Sequence, residues 1–193
     1  MGELTYEELR AIRARVGRGE RAIEDEARLR SLPELIAALR FTRSMLQALV
    51  GRWTQAQLQV RPPQADGGRE QREDDWSATE TLTHLIATQN WYLLNLDRML
   101  GRRQQYEIMP RGLGDQARQD VSKEEVAAGL QRASDQLLAY LEEIPLDADL
   151  EARRNSIYFG DLGIRGWALL AIFHDLDHLG QIERLVDLPT FPQ

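Results

Sequence analysis

The sequence predicts an all-α protein, a four-helix bundle with an N-terminal helical extension. Three observations carry this. Four capping boxes mark helix starts, apolar residues recur at helical spacing over four stretches of about 20 residues, and no apolar–polar alternation is sustained. In a capping box a Ser or Thr side chain accepts from the backbone N–H three residues on, and a Glu there accepts from the cap's own N–H. The pairs are Thr5 with Glu8, Ser31 with Glu34, Ser77 with Glu80, and Ser122 with Glu125.

Taken in order, Thr5 opens a short helix within residues 1–30, the extension. The bundle domain occupies residues 31–193. After Ser31, Leu35, Leu39, Leu46, Leu49 and Trp53 fall close to one stripe, with Arg40, Arg43 and Gln47 expected off it, so this helix runs to about Trp53. From Gln55 to Asp75, Pro62, Pro63, Gly67 and Gly68 among charged residues predict a solvated loop. A second long helix runs from Ser77 to Leu100, followed by a Gly-, Pro- and Arg-rich connection up to Val121. The third, from Ser122 to about Glu143, carries Val126, Leu130, Leu137 and Leu141 and is limited by Pro145. The last runs from about Ile164 to Val186. Before it, NSIYFG predicts a short extended piece, but no sheet is expected.

Composition narrows the chemistry. The 193 residues suit one domain with a real core. A net charge of −7 repels phosphate backbones, so neither nucleic acid nor a membrane is an expected partner. The absence of Cys excludes disulfides, thiolate nucleophiles, Cys-bound zinc and iron–sulfur clusters. Any metal must therefore rest on His and carboxylates. Lys123 is the only lysine, which weighs against Schiff-base chemistry. The N-terminal stretch has no apolar segment between its charges, and the apolar run from Trp167 to Phe173 is far short of a membrane span, so a cytoplasmic protein is expected. Four tryptophans and several Leu stripes lead us to expect a homodimer.

The three histidines are the most informative residues. His174 and His178 are four apart in FHDLDHLGQ, so their imidazoles leave one helix face with Cβ atoms roughly 6 Å apart. His84 lies in the middle of the Ser77 helix, where Thr81, Ala87, Thr88 and Trp91 share its face. If the two helices face each other, three imidazoles converge on one divalent ion with open coordination positions, the pattern of a catalytic rather than a structural site. Asp175 stands where HExxH metalloproteases carry their general-base Glu, so peptidase chemistry is disfavoured. Asp177 and Gln181 are the candidates for steering an imidazole or meeting a substrate, with a solvated charge and a cavity cap as their bland readings. Glu80 is accounted for as a cap. Arg153, Arg154 and Arg165 flank the last helix and either recognise an anionic substrate or form ordinary solvated surface. No Walker or GxGxxG spacing supports nucleotide binding.

WSATETLTHL and FHDLDHLGQIERL resemble the two metal-site segments of the DinB-like superfamily, which includes YfiT-like metal hydrolases and thiol-dependent transferases. The resemblance covers roughly residues 33 to 186. It implies an up-down-down-up four-helix bundle and a divalent metal, commonly zinc or nickel, held by His84, His174 and His178. It also implies S-transfer or isomerisation with a low-molecular-weight thiol such as bacillithiol, mycothiol or glutathione. The expected protein is thus a metal-dependent S-transferase acting on a small molecule. The alternatives are a metal-dependent hydrolase using bound water and a noncatalytic metal-binding stress-response bundle.

Overall fold

The computed structural model describes residues 4–63, 73–101, 117–145, 148–156 and 158–193. Among them the chain forms α1 (Tyr6–Gly17), α2 (Ile23–Arg28), α3 (Leu32–Arg52), α4 (Gln55–Leu58), α5 (Ala78–Met99), α6 (Lys123–Glu142) and α7 (Ile164–Glu183). All four capping boxes read in the sequence are formed, opening α1, α3, α5 and α6. Gly101 closes α5 at φ +63°, a left-handed position that favours glycine.

Three features differ from the sequence reading. The stretch after Trp53 is not all loop, because a fifth capping box, Thr54 with Gln57, nucleates α4, and fully buried Leu58 pins it to the core. The middle of that stretch, 64–72, and most of the connection after α5, 102–116, lie outside the described residues. The segment around NSIYFG forms a two-stranded antiparallel hairpin where no sheet was expected, β1 (Arg154–Ser156) with β2 (Gly160–Leu162). Gly160, at φ +73°, supplies the turn that lets so short a ladder close, and buried Leu162 anchors it. Beyond α7 the helix tightens into a 3₁₀ turn, Arg184–Asp187.

The long helices form a ring. α3 packs against α6 and α7, and α5 packs against the same two. α7 is buried almost all round, since α1 and α2 also lie on it. Leu9, Ile12, Ile23 and Ala27 of α1 and α2 belong to the same apolar cluster as Leu35, Leu39, Trp167 and Leu170. Glu24 of α2 accepts the Gly163 N–H at 2.8 Å and so serves the start of α7, which has no cap of its own. No helix among the described residues is long and apolar enough to cross a membrane.

A second apolar cluster, including Leu46, Leu49, Leu82, Leu85, Leu130, Leu179 and Ile182, fills the other end. Between the two clusters each long helix contributes polar residues: Thr42 and Arg43 from α3, Thr88 and Gln89 from α5, Ser134 from α6, and His174, Asp175 and His178 from α7. Arg43 is therefore not off the apolar stripe. It lies one turn after Leu39 and just under one turn before Leu46, on their face, and is 2% exposed. Its Nε is 2.7 Å from Oδ2 of fully buried Asp175, which also accepts from Thr42 Oγ1 at 3.0 Å.

A buried charge left alone is far costlier than a buried pair, whereas an apolar pair of similar volume often substitutes without loss. Arg43→Met is thus expected to destabilise the protein by about 3–5 kcal/mol in denaturant titration, and Arg43→Met with Asp175→Leu to recover most of that loss. Additive losses in the double variant would contradict the pairing.

Candidate metal centre

α5 and α7 bring the three histidines together. His84 and His178 are buried and His174 half-buried, and one nitrogen from each ring lies within 4.8 Å of the others. His174 Nε2 sits 3.1 Å from His84 Nε2 and 2.9 Å from His178 Nε2. The i, i+4 spacing places the two α7 rings together, their centroids 4.5 Å apart. Trp76, just ahead of the α5 cap, covers His84 with ring centroids 5.0 Å apart.

Hydrogen bonding alone cannot satisfy this arrangement. A ring nitrogen has a single in-plane position, either a proton or a lone pair, and His174 Nε2 faces two neighbours with it. A shared cation satisfies all three lone pairs, and two nitrogens each about 2.0–2.1 Å from one ion lie about 3 Å apart at near-right angles. The three rings fit a divalent ion and can hold one.

Gln181 decides which nitrogen of His178 faces inward. Its amide nitrogen donates to the Glu73 carbonyl, which turns its oxygen to His178 Nδ1 at 2.8 Å. Nδ1 must then carry the proton, leaving the Nε2 lone pair for the cluster. Burial foremost, and then the neighbouring His178, His84 and Arg43, hold the pKa of His174 well below the usual imidazole value. This ring is therefore neutral at physiological pH, the form a metal requires. Its Nδ1 is buried without a hydrogen-bond partner.

Asp177 is not among the residues whose ligand atoms gather at the cluster. It lies about 60° round the helix from His174, on the side facing α1. There it is half-exposed and accepts from Arg13 Nη2 at 2.7 Å. Asp175 likewise turns away, toward Arg43. Glu80 caps α5, as read, and also pairs with Arg61. Among the described residues no carboxylate joins the three rings. The sequence reading overlooked Arg43, although an Arg on a Leu stripe and an Asp inside a nearly all-apolar helix were signals of a buried pair.

Two measurements follow from this geometry. Gln181→Leu removes the acceptor that sets the His178 tautomer and should weaken zinc binding about 10–100-fold in a competitive chelator titration. Unchanged affinity would contradict its positioning role. The second concerns metal-free stability. The unfolded chain protonates His174 near the ordinary value of about 6.5, whereas the folded chain does so only at much lower pH. The stability His174 contributes is then fully present above about pH 6.5 and is lost as pH falls below it. Thermal unfolding should show the wild type losing ground to His174→Gln on acidification, and a pH-independent gap would contradict this.

No curated protein and no solved structure matches the chain. Residues 38–182 do match a family model described as the DinB superfamily. That span includes all three histidines and most of the long helices that position them, and it covers well over half of the sequence. The chain belongs to the DinB superfamily.

Proposed function

We propose that this protein is a metal-dependent S-transferase that activates a low-molecular-weight thiol at His84, His174 and His178, on an up-down-down-up four-helix bundle. The observation that carries the reading is the convergence of three ring nitrogens with His174 Nε2 shared between the other two. A divalent ion held there, zinc or nickel, supplies positive charge that lowers the pKa of a thiol or water bound beside it.

The chain's own groups hold and orient. His174 stays neutral because it is buried, and His178 presents Nε2 because Gln181 occupies its other nitrogen. Thr88 donates its hydroxyl proton to the His84 carbonyl at 2.8 Å, and its oxygen lies 3.5 Å from His84 Nε2, a neutral polar group beside the cluster. Trp76 excludes water from the His84 side. Buried Tyr92, its ring 6.2 Å from that of His174, has its pKa pushed above the usual phenol value, chiefly by burial, and stays protonated. The transferase reading follows the resemblance of the two histidine segments to those of thiol-dependent transferases, and hydrolysis with bound water is its alternative.

Turnover of an electrophilic aryl halide by the zinc- or nickel-loaded protein tests the proposal, with bacillithiol, mycothiol, glutathione or no thiol supplied. Thiol-dependent product is expected, falling at least about tenfold in His178→Ala through loss of the metal. Product formed equally well without thiol would replace transfer with hydrolysis, and no product with any thiol would contradict the enzyme reading.

A further inference from the structure

α3 carries a second stripe besides the one that faces the core. Leu39 and Leu46 point inward, whereas Phe41, Met45, Ala48 and Arg52 recur at i, i+4, i+7 and i+11 and share an arc of about 60° on the outer side. Phe41 is 39% exposed, Met45 is half-buried, and Ala48 and Arg52 are exposed. Beside this stripe runs a groove of about 480 Å³, lined by Met45, Ala48 and Arg52 of α3 and by Leu179, Glu183 and Val186 of α7 and the turn after it. Val186 is 49% exposed, so two of the five exposed large apolar side chains among the described residues belong to this one face. Single exposed apolar residues are ordinary, but a continuous apolar face beside a groove is the mark of a binding surface.

The groove also carries one charge of each sign. Arg43 meets Asp175, and further along both helices Arg52 and Glu183 reach the same groove, so α3 and α7 run in the same direction. The two charges therefore stand at one level, on opposite walls. Both are exposed, and neither forms an ion pair among the described residues. A purely acidic or purely basic partner would meet one like charge here, whereas a second copy of the chain offers the complement of both. Two copies of net charge −7 repel each other, so a contact between them must be locally neutral, and this face is.

We propose that this face binds a second copy of the chain in a two-fold symmetric dimer, the α3 stripe of each copy lying in the α3–α7 groove of the other. A two-fold axis parallel to α3 keeps all four helices pointing the same way and so preserves their level. Arg52 then meets Glu183 of the partner subunit, and the symmetry repeats the pair the other way round. Phe41 and Met45 supply apolar filling at the centre, Ala48 leaves room for it, and the charges close the rim. Leu179 follows His178 and so points about 100° away from it round α7, which sets the groove on a different face from the histidines. The inference does not depend on a metal there.

Sedimentation equilibrium of the full chain is the test. The wild type should show twice the mass of one chain, with a dissociation constant of about 10 μM or tighter. Arg52→Glu and Glu183→Arg should each weaken association at least about tenfold, because each sets two like-charged pairs across the interface. Mixing the two variants in equal amounts should restore association, since every facing pair is then of opposite sign. Both variants should match the wild type in far-UV circular dichroism and in zinc binding, which separates failure here from failure of the fold or of the metal centre. A wild type that stays monomeric at about 100 μM, a dimer indifferent to either reversal, or a mixture that associates no better than its components would each overturn the proposal.

Discussion

A layer of polar and ionisable side chains crosses the middle of this protein between two apolar clusters, and the pairing of its charges constrains the helices around it. Groups of this kind are stable in a core only when paired, because desolvation penalises an isolated charge by several kcal/mol. On the α3 side Arg43 and Asp175 answer each other, with Thr42 and Gln89 beside them. On the α5 side three imidazoles face one another, and no arrangement of their protons pairs all three inward nitrogens. One half of the layer holds an ion pair of opposite charges, and the other half gathers three imidazoles that could hold a cation.

The economy of α7 explains how one helix serves both halves. In FHDLDH, His174 and His178 share a face toward α5, Asp175 is turned about 100° to α3, and Asp177 lies on the side where α1 docks. Four polar residues within five positions thus reach three different neighbours. Surrounding α7 with α1, α2, α3 and α5 is what buries these groups, and burial is also what keeps His174 neutral. The N-terminal helices therefore bear on the site without touching it, through Arg13 on Asp177 and Glu24 on the start of α7.

Much of this was legible in the sequence. Capping boxes are local, so four helix starts could be read to the residue, and three histidines with two at i, i+4 spacing announced the cluster before any fold was known. The misses have a common cause, the need for tertiary information. Asp175 and Asp177 are equally plausible from spacing, and only the positions of α3 and α1 decide that one is buried against Arg43 and the other exposed beside Arg13. The hairpin was underread because three-residue strands carry too little alternation to register, and α4 because its cap uses Gln in a stretch dominated by Pro and Gly. Spacing likewise could not tell the three arginines flanking α7 apart: among the described residues Arg153 and Arg165 pair with carboxylates, while Arg154 donates to Asn95.

X-ray absorption spectroscopy of the zinc-loaded protein addresses the central claim most directly, because it counts imidazoles around the ion. Three ring nitrogens at about 2.0–2.1 Å, with the remaining coordination made up by oxygen from solvent, is the predicted first shell. A shell with one imidazole or none, dominated by carboxylate oxygen, would place the ion elsewhere and contradict a metal centre built on His84, His174 and His178.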